Sequence, residues 1–247
     1  RLLRAELARP GYRCEPIMLG ANTDPYQPVE KRLGVTREIL EVLLQARHPV
    51  TIITKGTLVL RDLELLREFM AMNLVRVTVS LTTLDPELKR TLEPRAASPQ
   101  ARLRVISELA RAGIPVSVLA APLIPAVNDA ELEQLLTAAA AAGATRAGYV
   151  LLRLPYEVKE LFRAWLQHHM PLRAEHVMSL VQQARGGRDN DPRFGTRMRG
   201  TGPWAEMLRA RFELAQKRLG LHADPNPELD TTRFCPPRGN GQLELDW

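Results

Sequence analysis

Five short apolar segments, separated by stretches with helical periodicity, constrain the fold of this chain more than any other feature. The segments are rich in β-branched residues and apolar on both faces, which is typical of parallel strands buried on both sides. A strand followed by a helix, repeated in this way, predicts an α/β fold, either a β/α barrel or an open doubly wound sheet. The predicted strands are Pro16–Ala21, Val50–Thr54, Val75–Leu81, Val116–Ala121 and Ala147–Leu152, and the predicted helices between them are Thr36–Ala46, Leu60–Met72, Pro99–Ala112 and Asp129–Ala142.

The pattern changes to helices alone after Pro155. We predict three regions: a β/α body over 1–155, a helical extension over 156–223 and a proline-rich tail over 224–247. The tail is expected to be poorly ordered or to lie across the body. Because the chain begins inside a helical pattern without a capping residue, we also expect a first strand and its loop to precede it.

Composition narrows the class of protein. No run of about 18 apolar residues occurs, so we predict a cytoplasmic protein without membrane contact. Cys14 and Cys235 are far apart and in no C-x-x-C context, which predicts two unpaired thiols. The formal net charge is +6, and the segment from Arg185 to Arg218 holds nine basic residues against four acidic ones. Such a segment either follows a phosphate backbone or forms a solvated surface.

Polar side chains stand where the predicted strands end, and barrels and doubly wound sheets both place function at that edge. Asp24 and the Thr23 hydroxyl are suited to accept hydrogen bonds from an ammonium group, while Lys55 and Ser80 are suited to bind a carboxylate. A small zwitterion such as an amino-acid moiety has both groups. The alternative is structural: Asp24 starts a turn, Lys55 extends along the surface, and Ser80 is a hydrogen-bonded strand hydroxyl.

The same strand ends resemble a known family. In order, "ANTDP", "IITKG", "VSLTT", "LEPRAASPQARLRVISELARAGIPVSVLAAPLIP" and "GYVLLRLP" resemble the barrel of radical S-adenosylmethionine (SAM) proteins. They are most similar to the spore photoproduct lyase branch and its bacterial relatives with the signature TDPYQPxE, which "RFGTRMRGTGP" also resembles. The resemblance implies a partial barrel of six βα units. It also implies a [4Fe–4S] cluster held by a C-x-x-x-C-x-x-C loop, with SAM chelating the cluster through its amino and carboxylate groups.

The resemblance implies roles for individual residues and for partners. Thr23 and Asp24 match the motif that binds the SAM amino group, and Lys55 and Ser80 match positions directed at its carboxylate or ribose. The remaining expectations are adenine contact near Pro122 and Leu151, and substrate contact at Arg153, Tyr156, Arg197 and Arg199. The implied chemistry is lyase-like: reductive cleavage of SAM to a 5′-deoxyadenosyl radical, with flavodoxin or ferredoxin as reductant. The radical acts on an unknown substrate, for which nucleic acid is one candidate. The alternative is a nucleic-acid-binding barrel without radical catalysis.

Two positions depart from the family pattern. No C-x-x-x-C-x-x-C occurs in the chain, so no metal ligand is named here and the motif is expected upstream of Arg1. Ala21 stands where the lyase has its hydrogen-donating cysteine. The resemblance therefore favours the scaffold of the lyase and argues against its thymine-dimer reaction.

Overall fold

The computed structural model describes residues 1–193, 195–222 and 228–237. Five strands form one parallel sheet whose order follows the chain without reversal. A doubly wound sheet would reverse its strand order. The sheet therefore has the barrel arrangement, which is one of the two predicted alternatives. The strands are β1 (Ile17–Leu19), β2 (Val50–Thr54), β3 (Val75–Ser80), β4 (Val116–Leu123) and β5 (Arg146–Leu151).

Helices connect the strands and continue after the last one. Four helices between β1 and β5 correspond to the predicted segments, and two short ones, Glu30–Leu33 and Pro86–Leu92, lie outside them. The segment predicted to start at Leu60 begins differently. Its first turn, Leu58–Asp62, is a 3-10 helix that turns the Asp62 side chain inward. The helices are α1 (Leu2–Leu7), α2 (Glu30–Leu33), α3 (Val35–Gln45), α4 (Leu63–Ala71), α5 (Pro86–Leu92), α6 (Pro99–Arg111), α7 (Leu132–Ala141), α8 (Val158–His169), α9 (Ala174–Gln183) and α10 (Pro203–Arg218), with further 3-10 turns at Asp129–Glu131 and Pro171–Arg173.

The sheet is fully buried on one face only, which corrects the expectation of strands buried on both sides. Side chains such as Ile52 and Val77 face the helices and are completely buried. Their neighbours Thr51, Thr78 and Ser117 point to the opposite face and are only half-buried. Five strands form a partial barrel whose concave face stays accessible, and this explains why polar residues are tolerated there.

The helices after β5 pack in two places. Helices α8 and α9 build a smaller cluster around Phe162, Leu166 and Val177. Helix α10 instead places Leu208 and Phe212 in the main core. The boundaries predicted at 155 and 223 stay predictions.

The described part of the tail, 228–237, lies across the amino ends of the strands. The Asp230 N–H donates to the Asn73 carbonyl, and the Cys235 N–H donates to that of Ala46. Of the two alternatives for the tail, packing across the body holds for these residues, while 224–227 and 238–247 lie outside the described residues. Over the described ranges, we find no helix with the length and apolar character that crossing a membrane requires.

Candidate active site at the carboxyl edge of the sheet

The loop after β1 is attached to the end of β2 through Asp24. Asp24 Oδ1 accepts the Tyr26 N–H at 2.9 Å and the Thr54 hydroxyl at 2.7 Å, and Oδ2 accepts the Lys55 N–H at 2.7 Å. A carboxylate offers about four lone-pair sites, so these three donors leave acceptor capacity for one more group. Asp24 therefore combines the turn-forming role of the structural alternative with room for a ligand. Thr23 beside it is exposed.

Close backbone packing holds the same loop in place. Gly20 has φ of +100°, and a Cβ at this position would lie 2.1 Å from the Ile53 carbonyl oxygen. Gly56 is similarly close to the loop, since its Cβ would lie 2.8 Å from the Tyr26 carbonyl oxygen. Glycine is required at position 20 because no other residue tolerates both the conformation and the contact.

A network of charged side chains lies behind this loop, and we call it the loop network. At its centre is Asp62, which is 0% exposed. Asp62 accepts hydrogen bonds from the Tyr26 hydroxyl at 3.0 Å and from Arg37 Nη1 and Arg61 Nε, each at 2.9 Å. Arg61 Nη2 also donates to Glu30 Oε1 at 2.9 Å, which completes the network of Tyr26, Glu30, Arg37, Arg61 and Asp62.

The pKa values of the loop network follow from these contacts. Burial, reinforced by the charge of Asp62, raises the pKa of Tyr26 far above its ordinary value, so Tyr26 is a neutral donor. Burial works against the charged form of Glu30, but hydrogen bonds from Arg61 and the Thr36 N–H outweigh it and lower the Glu30 pKa. At neutral pH, Glu30 is thus a carboxylate and Tyr26 a neutral hydroxyl.

A second network, the mouth network, consists of Lys55, Thr82, Glu93 and Arg102 and lies at the ends of β2 and β3. Lys55 Nζ forms an ion pair with Glu93 Oε1. Glu93 Oε2 accepts from Arg102 Nη2 at 2.7 Å and from the Thr82 hydroxyl at 2.9 Å. Burial alone would raise the pKa of Glu93, but the charges of Lys55 and Arg102 outweigh it and hold that pKa below its usual range.

Hydroxyl and amide groups join the ends of β3 and β4. The Ser80 hydroxyl donates to the Ala121 carbonyl at 3.2 Å, as the structural alternative expected of it. The buried Asn128 amide donates to the carbonyls of Thr82 and Pro122, at 2.7 and 2.9 Å. Ser80 and Pro122 therefore lie at the same edge as Lys55, on adjacent strands.

The end of β5 is covered by the segment 195–202. The Leu151 N–H donates to the Met198 carbonyl at 2.9 Å, and a Cβ on Gly200 would lie 2.7 Å from Leu151 Cδ1. The Leu151 side chain is therefore buried against this segment. Arg185 fixes the arrangement, because its buried guanidinium donates to four carbonyls, those of Leu151, Leu152, Thr196 and Arg197.

The four predicted substrate-contact residues have different surroundings. The Arg199 guanidinium lies over the Tyr149 ring, 3.9 Å from its centroid, in a cation–π contact. Tyr156 is 88% exposed and has φ of +50°. Arg153 has a buried Nε without a hydrogen-bond partner among the described residues. Arg197 offers its carbonyl to Arg185.

Glu93 and Arg102 were not singled out from the sequence, although both belong to the mouth network. Both lie in the stretch that begins with "LEPRAASPQARL", which contributed to the family resemblance and to the predicted helix Pro99–Ala112 but to no site prediction. A local signal existed for the position of Arg102, because Ser98 caps α6 by accepting the Ala101 N–H at 3.2 Å and Pro99 follows it. No local signal connects Glu93 with Lys55, which lies 38 positions earlier.

A cavity of about 340 Å³ lies on the other side of the β1 loop, between β1 and the helices α2 and α3. Thr23 and Asp24 line it together with apolar residues that include Leu19 and Ile39. Asp24 is thus positioned between this cavity and the end of β2. In the described ranges, no group of three or more His, Cys, Asp or Glu side chains is arranged to hold a metal ion, and Cys14 and Cys235 are free thiols.

The family follows from comparison with known proteins. The model of the Radical SAM superfamily matches residues 2–139, more than half of the chain. The chain therefore belongs to the radical SAM superfamily, a class of enzymes, and the prediction from the strand-end motifs is confirmed. Membership implies SAM and a [4Fe–4S] cluster.

A solved structure shares the fold of this chain, and curated proteins are similar to it in sequence. The solved structure of spore photoproduct lyase complexed with dinucleoside spore photoproduct superposes with a TM-score of 0.62 at 14% identity, over 88% of this chain and 62% of that one. An uncharacterized protein of Mycobacterium tuberculosis is 42% identical over 234 residues, and one of Methanocaldococcus jannaschii is 31% identical over 115 residues, which is 47% of this chain and 43% of that protein. The match with the mycobacterial protein covers 93% of this chain and 65% of the length of that protein.

Proposed function

We propose that this chain binds SAM through its amino-acid moiety at the carboxyl edge of the sheet, as the SAM-binding part of a radical SAM enzyme. The observation that carries the proposal is the contact of the Asp24 carboxylate with the backbone of Lys55, which places an acidic and an amine-bearing residue next to each other. Asp24 Oδ2 accepts the backbone N–H of Lys55, so both residues lie at neighbouring strand ends. A ligand with an ammonium and a carboxylate group is complementary to such a pair.

Each predicted residue has a role in this proposal. Asp24 accepts from the SAM ammonium with its remaining lone pairs, assisted by the exposed Thr23 hydroxyl. Lys55 donates to the carboxylate, and Ser80 contributes to binding the carboxylate or ribose. Adenine lies against the strand ends around Pro122 and Leu151.

The role of these residues is to bind and orient SAM. A [4Fe–4S] cluster supplies the electron for SAM cleavage in the superfamily, but the described residues do not fit it, since they offer no ligand set. We therefore assign no step at a cluster to this chain. For the whole protein we propose the predicted activity, reductive SAM cleavage to a 5′-deoxyadenosyl radical in the cytoplasm with flavodoxin or ferredoxin as reductant.

Calorimetric titration of the chain with SAM tests the binding proposal. We expect the wild type to bind, and an Asp24→Asn/Lys55→Ala double variant to lose most of its affinity. Lys31→Ala, at an exposed lysine on α2, serves as the matched control and is expected to bind like the wild type. Undiminished binding by the double variant, provided that it remains folded, contradicts the proposal.

Cleavage is tested on the full-length protein. After reconstitution with iron and sulfide and reduction with dithionite, we expect 5′-deoxyadenosine to accumulate. A fully loaded cluster without cleavage rejects the catalytic part. Ala21 has no thiol, so we do not propose hydrogen donation from that position.

Nucleic acid is a second candidate, as a substrate or as a partner of a barrel without radical catalysis. The observation in its favour is Tyr156, which is 88% exposed near Arg153 in the chain and is suited to stack on a base. The basic segment supports it less than its composition suggested, since several arginines bind other parts of the protein. They include Arg185, Arg193, Arg199 and Arg211, which contact carbonyls, Asp191, Tyr149 and Glu133 respectively.

Binding of a fluorescent single-stranded oligonucleotide tests this candidate. Affinity that falls steeply with added salt and falls further in Tyr156→Ala supports contact with both phosphates and bases. Salt-insensitive or absent binding rejects it. Arg197 is part of the proposed contact surface, and a charge-removing variant at this position is expected to reduce the salt dependence.

A further inference from the structure

Glu93 connects the accessible and the buried parts of the mouth network. One carboxylate oxygen pairs with the Lys55 ammonium and the other accepts from Arg102 and Thr82. The Glu93 side chain is 11% exposed, whereas that of Lys55 is 34% exposed. Glu93 thus fixes the inner side of an ammonium group whose outer side is accessible.

Arg102 in turn fixes Glu93. Its side chain is 2% exposed, and it donates from Nε to the Ala97 carbonyl at 2.9 Å and from Nη1 to the Ser80 carbonyl at 3.1 Å. These two contacts leave Nη2 directed at Glu93 Oε2. The position of the Lys55 ammonium is therefore determined by backbone carbonyls on β3 and before α6, through two intervening side chains.

The charges of the mouth network do not cancel. Lys55 and Arg102 are two cations, and Glu93 is the single carboxylate between them. An ammonium group has three donors, so a Lys55 that gives one to Glu93 keeps others for a ligand. Lys55 is the more exposed of the two cations, at 34% against 2% for Arg102, so it is the one suited to bind a carboxylate.

We propose that Glu93 is the positioning residue of the SAM site, holding the Lys55 ammonium at the strand ends where it binds the carboxylate of SAM. The inference depends on the proposed function, because it assigns to Lys55 the SAM carboxylate as its ligand. Glu93 itself does not touch SAM. Its effect is exerted through Lys55 and is confined to the amino-acid moiety of the ligand.

Glu93→Gln tests the inference in calorimetric titrations with SAM and with 5′-methylthioadenosine, which has the adenosine part but no amino-acid moiety. We expect the variant to bind SAM about tenfold more weakly, as for the loss of one charge-assisted contact. Binding of 5′-methylthioadenosine is expected to stay within about twofold, the scatter of a neutral surface change. The matched control is Glu87→Gln, which removes the exposed partner of Arg90 and should leave both affinities unchanged.

Glu93→Asp covers the case in which the amide variant fails to fold. It keeps a carboxylate near Arg102 but is one methylene shorter, so it should reduce SAM affinity with the same selectivity. In a Lys55→Met background, Glu93→Asp should cause little further loss, because its partner is already absent.

The outcomes separate the two proposals. A wild type that does not bind SAM, or binds it no better than 5′-methylthioadenosine, refutes the proposed function. A wild type that prefers SAM, with Glu93 variants that keep this preference, refutes the positioning role alone. If the Glu93 variants lose affinity equally for both ligands, Glu93 is a structural residue, and this result also overturns the inference.

Discussion

Two networks of arginine and carboxylate side chains lie at the carboxyl edge of the sheet, and they differ in where their contacts end. In the loop network, the central carboxylate of Asp62 is 0% exposed and accepts hydrogen bonds from the buried Tyr26 and from Arg61. In the mouth network, the contacts of Glu93 lead outward to Lys55, whose side chain is 34% exposed. We call the loop network closed because its half-exposed cation, Arg37, pairs with three carboxylates, those of Glu41, Asp62 and Glu64. Among the described residues, the similarly exposed Lys55 pairs with Glu93 alone.

The difference separates structural from ligand-binding residues within one motif. In "TDPYQPVE", Tyr26 and Glu30 belong to the closed network and hold the loop after β1 against α3 and the Leu58–Asp62 turn. Asp24 faces the end of β2 and keeps acceptor capacity. Most of the motif therefore builds the loop, and only its first two residues are candidates for ligand contact.

The largest effect is expected from breaking the closed network. Asp62→Ala leaves Arg61, Arg37 and the Tyr26 hydroxyl without their common acceptor, and we expect the free energy of unfolding to fall by about 3 kcal/mol. Urea denaturation measures it. Glu64→Ala is the control, since Glu64 is an exposed partner of Arg37 and its loss should cost less than about 1 kcal/mol. Equal costs for both variants would show that Asp62 is not the centre of the network.

Removing the outer end of the mouth network should separate stability from binding. In Lys55→Met, Glu93 keeps Arg102 and Thr82 as partners, so we expect the free energy of unfolding to change by less than about 1 kcal/mol. The dissociation constant for SAM is expected to rise tenfold or more, about 1.4 kcal/mol or above. Denaturation and calorimetry on the same sample measure both. If Lys55→Met loses stability but keeps its affinity for SAM, Lys55 has a structural role like that of the loop network and does not bind the ligand.

A smaller effect is expected at Thr82, which bridges the mouth network and β4. Its hydroxyl lies 2.9 Å from both Glu93 Oε2 and the Ala121 carbonyl. Thr82→Val removes one hydrogen-bond donor from a buried position, and we expect a loss of about 1 kcal/mol in stability. Thr137→Val, at an exposed threonine on α7, should stay within about 0.5 kcal/mol of the wild type. No difference between the two would indicate that Glu93 does not need this donor.

The smallest effect concerns acid pH. Because the folded-state pKa of Glu93 is lowered, its stabilising contribution is present above the unfolded pKa and is lost as the pH falls through the folded one. Stability of the wild type should therefore decrease below about pH 4.5, and less steeply in Glu93→Gln. Denaturation midpoints at several pH values measure the slopes. Glu87→Gln, at an exposed residue, should follow the wild type. If the stability of Glu93→Gln decreases as steeply with falling pH as that of the wild type, the ion pairs of the Glu93 carboxylate do not stabilise the fold.

The sheet could be predicted closely because its signals are local. The run Val50–Thr54 was predicted with both ends correct, since Pro49 precedes it and Gly56 follows shortly after. Strand β1 is shorter than predicted, Ile17–Leu19, because Gly20 adopts a positive φ and ends the strand there. Strand β1 also lies at the edge of the sheet and pairs with β2 alone, which limits its length.

The site was predicted only in part because its contacts are distant in the chain. The strand-end positions of Asp24, Lys55 and Ser80 follow from the alternation of strands and helices. The ion pairs of Lys55 with Glu93 and of Glu93 with Arg102 depend on how α5 and α6 pack over the sheet. No periodicity reports such a contact, so composition and spacing could not reveal the mouth network.

The central claim is that Lys55 binds the carboxylate of SAM, and decarboxylated SAM tests it most directly. Calorimetric titration of the wild type and of Lys55→Met with both ligands gives four dissociation constants. We predict that the wild type binds SAM at least tenfold more tightly than decarboxylated SAM. In Lys55→Met the two ligands should bind equally. A preference for SAM that survives in Lys55→Met would contradict the account.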